Sequence, residues 1–199
     1  MKDLLQMIKI ELNGLNTMNI KTERLVIRDF EDKDAEGLYQ YLSNPPVNCF
    51  KKEKVNSLEE ALKKVIEKKN GSSYGNSYAV CLQDSDFIIG DIFALKEGSD
   101  TYNVGWNFNL NYGEKGYATE AAEAFLKYLF EKDARRIYAY TEDDNISSQK
   151  LCKRIGMREE GLFLEFISFI DNEDGTPHYE NTYQFAILKK EWKKLKKNK

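Results

Sequence analysis

Residues 109–132, NLNYGEKGYATEAAEAFLKYLFEK, join a glycine-bearing turn directly to a long segment with an apolar stripe. Gly113 and Gly116 free the backbone of the turn, and Ala118, Ala121 and Ala122 keep the first helical turns thin enough for close packing. Phe125, Leu126 and Leu129 continue an apolar face at helical spacing. The first N–H groups of a helix have no partner inside it, and they lie at the positive end of its dipole. A loop that opens onto such an end suits a phosphate. It is also an ordinary way to begin a helix, so the rest of the chain has to decide.

Upstream, SYAVCLQ (77–83), FIIGDIFALK (87–96) and TYNVGWNFNL (101–110) read as three strands whose short polar connections suit an antiparallel meander. Before them, IKTERLVIRDF (20–30) alternates and reads as an opening strand. DKDAEGLYQYLS (32–43) places Leu38, Tyr41 and Leu42 on one face of a helix capped by Asp32. The prolines of NPPVNCF (44–50) end it. SLEEALKKVIEKK (57–69) is a second helix, with Ser57 and Glu60 spaced as a capping box. Downstream of the quoted stretch, RRIYAYT (135–141) is a strand and NISSQKLCKRIG (145–156) a short helix stopped by Gly156. LFLEFISFI (162–170) and YQFAILKK (183–190) close the chain as strands around DNEDGTPHYEN (171–181). The order β–α–α–β–β–β–α–β–α–β–β is that of an α/β protein with a mixed (α+β) sheet and one β–α–β crossover in its second half.

At 199 residues the chain is long enough for one ordinary core. The expected layout is a single domain over residues 18–192, an N-terminal extension over 1–17 and a basic tail over 193–199. Leu4, Leu5, Ile8 and Leu12 of the extension have the spacing of a short amphipathic helix. A net charge of −3 provides no global basic field to recruit nucleic acid. No apolar run approaches the roughly 20 residues of a membrane span, and no signal-peptide pattern opens the chain. Cys49, Cys81 and Cys152 are scattered and odd in number, which suits free thiols in a reducing cytoplasm. No metal site is expected.

Four segments, in order, resemble the GNAT superfamily of acyl-CoA-dependent N-acetyltransferases, and within it the RimJ/RimL-like branch. TERLVIRDF is similar to that branch's opening strand, and NYGEKGYATEAAEAFLKYLF to its pyrophosphate loop and helix. NISSQKLCKRIGM resembles its Asn-x-x-Ser helix, and GTPHYENTYQFAILKKEW its closing strand. The resemblance covers residues 19–192 and implies a GNAT-like fold with acetyl-CoA as co-substrate. It implies that the pantetheine arm runs along Phe108, Asn109 and Leu110 like an added strand. The pyrophosphate would then meet Gly113, Glu114, Lys115, Gly116, Tyr117, Ala118 and Thr119, with Asn145 and Ser148 further along. A free N–H near Phe108 would polarise the thioester carbonyl, strengthening as charge builds on that oxygen.

This sequence departs from the family pattern at three places. Glu114 stands where the loop usually has glycine; a positive φ there would strain it, and its side chain is expected to point outward with Lys115 offsetting its charge. Cys152 stands where many members carry a tyrosine that protonates the leaving thiolate, which makes Ser148 the better donor and Cys152 the second. Asn103 stands where relatives commonly carry a glutamate base. Glu165, Asp91 or an ordered water fills that role instead, and Asn145 caps the helix or contacts substrate. The acceptor is a primary amine: a protein N-terminus, or a small amine such as an antibiotic, polyamine or amino acid. A non-catalytic acyl-CoA-binding module is the remaining alternative. A homodimer, common among relatives, is a further expectation that the resemblance carries.

Overall fold

The computed structural model describes residues 17–71 and 75–197, so the helix read around Leu4–Leu12 lies outside the described residues. The opening alternation holds two strands instead of one. β1 (Asn19–Lys21) and β2 (Leu25–Arg28) pair antiparallel, with Ile20 opposite Ile27. Thr22 makes the turn between them: its N–H donates to the Leu25 carbonyl and its Oγ1 accepts from the Leu25 N–H, both at 2.9 Å.

The next helix also begins differently from its expected start. A 3₁₀ turn over Asp32–Asp34 precedes α1 (Ala35–Leu42), and Glu31, not Asp32, holds the N-terminal position. Asp34 decides this. Arg28 grips its carboxylate, which then accepts from the Glu31 N–H at 2.8 Å, while Asp32 turns outward to Lys69. In α2 (Leu58–Asn70), Ser57 Oγ accepts from the Glu60 N–H at 3.2 Å, and Glu60 reaches back one residue further than a capping box would, to the Asn56 N–H at 2.7 Å.

The meander is β3 (Asn76–Leu82), β4 (Ile88–Glu97) and β5 (Thr101–Phe108). Then follow α3 (Tyr117–Lys132), β6 (Arg136–Glu142), α4 (Ile146–Arg154), β7 (Arg158–Asp171), β8 (Pro177–Leu188) and α5 (Lys189–Lys197). The sheet order is β1-β2-β3-β4-β5-β6-β8-β7, and β5–β6 is its parallel pair. The lysine-rich end is therefore helical through Lys197, anchored by Trp192, whose ring packs 5.7 Å from that of Phe130.

Each sheet face buries its own core. Leu38, Tyr41 and Leu42 of α1 and Ala61 and Val65 of α2 cover one face. Ala121, Ala122, Phe125 and Leu126 of α3, with Leu151 and Cys152 of α4, cover the other. Fully burying a side chain the size of Phe125 stabilises by about 1.5–3 kcal/mol. The small residues of α3 let that helix lie close against the sheet, as its sequence suggests.

The parallel pair is short. β5 and β6 bond only through Thr101–Asn103 and Arg136–Tyr138, although β5 continues to Phe108 and β6 to Glu142. Beyond those three pairs the strands part and leave a gap in the middle of the sheet.

Candidate active site

The register fixes which backbone groups face the gap. Asn109 donates its N–H to the Ile89 carbonyl at 2.9 Å, and Asn107 lies opposite Asp91. In an antiparallel ladder such hydrogen-bonded pairs alternate with pairs whose polar groups point the other way. The N–H and C=O groups of Trp106 and Phe108 therefore point away from β4, into the gap. Among the described residues the N–H of Phe108 has no acceptor, and that of Asn109 is spent on β4. Asn109 instead holds the corner: its Oδ1 accepts from the Asn111 N–H at 3.0 Å and its Nδ2 donates to Gln40 at 3.2 Å. Leu110 is exposed at the start of a 3₁₀ turn whose end is closed by the Gly113 N–H on the Leu110 carbonyl.

From Glu114 to Thr119 no backbone N–H has a protein acceptor among the described residues. Glu114 (φ 60°) and Gly116 (φ 82°) both adopt the left-handed conformation, so the strain foreseen at Glu114 is present while Gly113 is extended. A non-glycine residue in that conformation costs about 1–2 kcal/mol. Glu114 is exposed, and Lys115 Nζ lies 5.5 Å from the centre of the Tyr112 ring. The loop is held from outside. Arg24 donates to the Lys115 carbonyl at 2.9 Å, stacks 4.6 Å over the Tyr117 ring and binds Glu120 through Nε at 2.7 Å. Arg154 reaches Thr119 Oγ1 at 3.0 Å, which brings a second guanidinium beside the same helix end.

Across the gap, Asn145 caps α4 by accepting the Ser148 N–H at 3.2 Å. Ser148 Oγ lies 3.3 Å from Trp106 Nε1. An indole N–H only donates, so Ser148 is the acceptor there and keeps its own proton to give elsewhere. Cys152, one helical turn on, is fully buried, and burial pushes its thiol up to about 12. That seals it from the gap.

The carboxylates sort by environment. Asp91 is buried and neutralised, bound to Lys68 at 2.8 Å and to the Tyr41 hydroxyl at 3.0 Å. Glu165 is exposed, in a left-handed residue (φ 48°) of β7; its N–H donates to Asn181, which in turn donates to Asp143. Glu142 at the end of β6 and Glu180 on β8 are buried on the α1/α2 face of the sheet. They meet the segment 48–53, where Cys49 N–H donates to Glu142 at 3.1 Å and Asn48 Nδ2 to Glu180 at 2.8 Å. His178 is exposed and bonded to Asn172.

A parted parallel pair, an open helix N-terminus and a capped Ser-bearing helix thus share one cleft. The family model for an acetyltransferase (GNAT) domain matches residues 24–158. The chain belongs to the GNAT acetyltransferase family. It is 41% identical over 177 residues to the uncharacterized N-acetyltransferase YnaD of Bacillus subtilis, covering 88% of this chain and 99% of that one. Among solved structures, a GNAT-family acetyltransferase from Bacillus anthracis superposes with a TM-score of 0.76 at 36% identity, over 87% of this chain and all of that one. RimL, a ribosomal L7/L12 alpha-N-protein acetyltransferase solved with coenzyme A, shares the fold at a TM-score of 0.68 and 16% identity, over 87% of this chain and 98% of that one.

The residues of this GNAT domain fit an acyl-CoA. The free N–H groups around a left-handed glycine form a cradle for a pyrophosphate, and the φ of 82° at Gly116 would strain any side chain there, although Arg24 would be met only at an ordinary contact distance of 3.4 Å. Reading the sequence alone missed Arg24 and Glu120, because the clamp joins positions 96 residues apart. It also missed Glu142 and Glu180, which only the β6–β8 register brings together. Burial opposes ionisation of Glu120, yet hydrogen bonds from Thr22 and Arg24 hold its carboxyl below the usual value. The clamp is thus complete above about pH 4.3 and is lost as pH falls through the lower folded value. Glu120→Ala is expected to weaken CoA about tenfold by calorimetry, or ~1.4 kcal/mol, with Glu120→Gln intermediate. An unchanged Kd for the alanine variant would mean that the loop holds its shape without Arg24.

Proposed function

We propose that this GNAT protein, read as a RimJ/RimL-like member, transfers acetyl from acetyl-CoA to a primary amine by direct attack in a ternary complex. The gap between β5 and β6 carries this reading, because it runs from the free N–H groups at 114–119 past Phe108 to Ser148. The Phe108 N–H donates to the thioester carbonyl. The neutral amine attacks the carbonyl carbon, a C–N bond forms and the C–S bond breaks. The nitrogen loses one proton to water, the sulfur gains one from the Ser148 hydroxyl, and that water restores the Ser148 proton. Direct attack is supported by the burial of Cys152, which keeps that thiol from accepting the acetyl group first.

A polypeptide α-amine, with a reference pKa of roughly 7.7–8.0, deprotonates more readily than a lysine at about 10.4, which favours a protein N-terminus. The buried acidic face at Glu142 and Glu180 favours the second reading, a small cationic amine. Three free cysteines suit a reducing cytoplasm. Exposed Leu162, Leu164 and Phe166 on edge strand β7 support a homodimer.

At a hundred times its Kd, a ligand stabilises by about 2.7 kcal/mol. Acetyl-CoA and CoA should therefore raise the melting temperature by about 5–10 °C at this chain length, while ATP and NAD leave it unchanged. Thiol release in an amine screen should follow. A thermal shift with no turnover on any amine would instead describe the non-catalytic module.

A further inference from the structure

On the α1/α2 face of the sheet, Glu142 lies directly opposite Thr182, and Glu180 follows two residues before Thr182 on the same strand. All three side chains share that face, since residues two apart on a strand point the same way. Diagonal neighbours of this kind lie about 7–8 Å apart, close enough for one small group to bridge them. Glu142 is 6% exposed and Glu180 7%. Neither has an ion-pair partner among the described residues. The nearby lysine, Lys68, is committed to Asp91 and to Glu53 at 3.4 Å. Two buried carboxylates without a countercharge are expensive unless something cationic joins them.

The same patch holds unpartnered donors and acceptors. Among the described residues Thr182 Oγ1 is buried with no hydrogen-bond partner, and so is Nδ2 of Asn107, which faces the same side from the free end of β5. Segment 48–53 occupies one oxygen of each carboxylate through Cys49 N–H and Asn48 Nδ2. The other oxygen of Glu142 has a long contact from Asn145 Nδ2 at 3.5 Å, and the Cys49 thiol also lies against this carboxylate. Asn145 belongs to the cap of α4, so this acidic patch adjoins the helix that presents Ser148.

We propose that Glu142, Glu180 and Thr182 form the recognition site for the acceptor's ammonium group, holding a cationic primary amine beside the gap until it is deprotonated for attack. This rests on the acetyltransferase reading above and deepens it. An ammonium has three donors and no acceptor, which matches two carboxylates and a hydroxyl. It supplies the missing countercharge, and a neutral or acetylated amine supplies none. Burial, and then the facing Glu142 carboxylate, raise the Glu180 carboxyl above its usual value against the Asn48 hydrogen bond. On this reading one of the two carboxylates takes the ammonium's proton.

The test titrates full-length protein, saturated with CoA, with spermine, with a Ser-Gly-Gly-Gly peptide and with the same peptide N-acetylated. Wild type is expected to bind spermine or the free peptide and to ignore the acetylated one; which of the two binds tells a small amine from a polypeptide terminus. Glu142→Gln and Glu180→Gln should each weaken that binding at least tenfold, and the double variant should abolish it. Kd for CoA should stay within twofold, and the melting temperature should hold or rise as like charges are removed. Three results would overturn the proposal: unchanged amine affinity in the double variant, as for carboxylates that only anchor segment 48–53; no binding of either free amine by CoA-bound wild type; or magnesium or calcium binding there in place of amines. Failure of wild type to bind CoA at all would instead sink the acetyltransferase reading, so the two failures stay distinct.

Discussion

Ser148→Ala is expected to lower kcat about 10²–10⁴-fold, the usual contribution of a positioned proton donor, while Kd for acetyl-CoA changes less than threefold. At rest the hydroxyl oxygen is fixed by the Trp106 indole at 3.3 Å, and the Ser148 backbone N–H is tied to the Asn145 cap. A serine in a helix often turns its proton to the carbonyl one turn back; here no such bond is present among the described residues. The proton is left for a group in the gap, where a departing thiolate needs one. Because an indole cannot accept, Trp106 also sets which way the hydroxyl points. Trp106→Phe should then lower kcat by a smaller factor, about tenfold, and should have little further effect on top of Ser148→Ala. Cys152 lies on the same helix but is sealed in the core, so Cys152→Ala should keep kcat within about threefold. Steady-state kinetics by thiol release decides the matter: a Ser148→Ala variant with near wild-type kcat, or a Cys152→Ala variant that loses it, reverses the two roles.

What the sequence discloses about this protein is mostly local. Period and punctuation reveal α2, the meander and α3, because each follows from residues within one or two turns of one another. The loop 113–118 is legible for the same reason: Gly116 marks a backbone position, and the free N–H groups follow from where α3 begins. The opening strand is misread as one because Ile20, Leu25 and Ile27 keep an apolar rhythm across a tight turn that Thr22 closes with its side chain. Asp91 looks available on its strand, and only the packing of α2 reveals that Lys68 already holds it. Glu165 looks costly amid apolar letters, but β7 is an edge strand and those neighbours are exposed. Glu142 and Glu180 carry no local signal at all. Their meaning lies in the register between two strands that are distant in the chain, and a string of residues does not contain a register.

Arg28→Met is expected to destabilise the fold by about 3–5 kcal/mol, the usual result of stripping one partner from a buried ion pair, and so to lower the melting temperature by roughly 6–20 °C. Arg28 makes two parallel bonds to Asp34, both at 2.8 Å, and a third to Asp86 at 2.9 Å. The Asp34 side chain is 1% exposed, so without the guanidinium its charge has no solvent to turn to. Asp86 is 44% exposed and also holds Lys33, so its loss of Arg28 matters much less. The methionine keeps most of the apolar stem, which confines the change to the charge and its bonds. Asp34→Asn on the Arg28→Met background should recover part of the loss, because it removes the stranded charge while the amide oxygen of the new side chain still accepts from the Glu31 N–H. Denaturant titration of the single and double variants measures this coupling directly. A single-variant loss below about 1 kcal/mol would show the pair to be nearly neutral against its desolvation. The site would feel the larger loss. Arg28 and Asp34 join β2 to the start of α1, and α1 supplies Gln40 to Asn109 and Tyr41 to Asp91. These contacts hold the corner after β5 and the acidic face beneath it, so CoA affinity near the melting range should fall with the population of intact α1 rather than with any change in the loop itself.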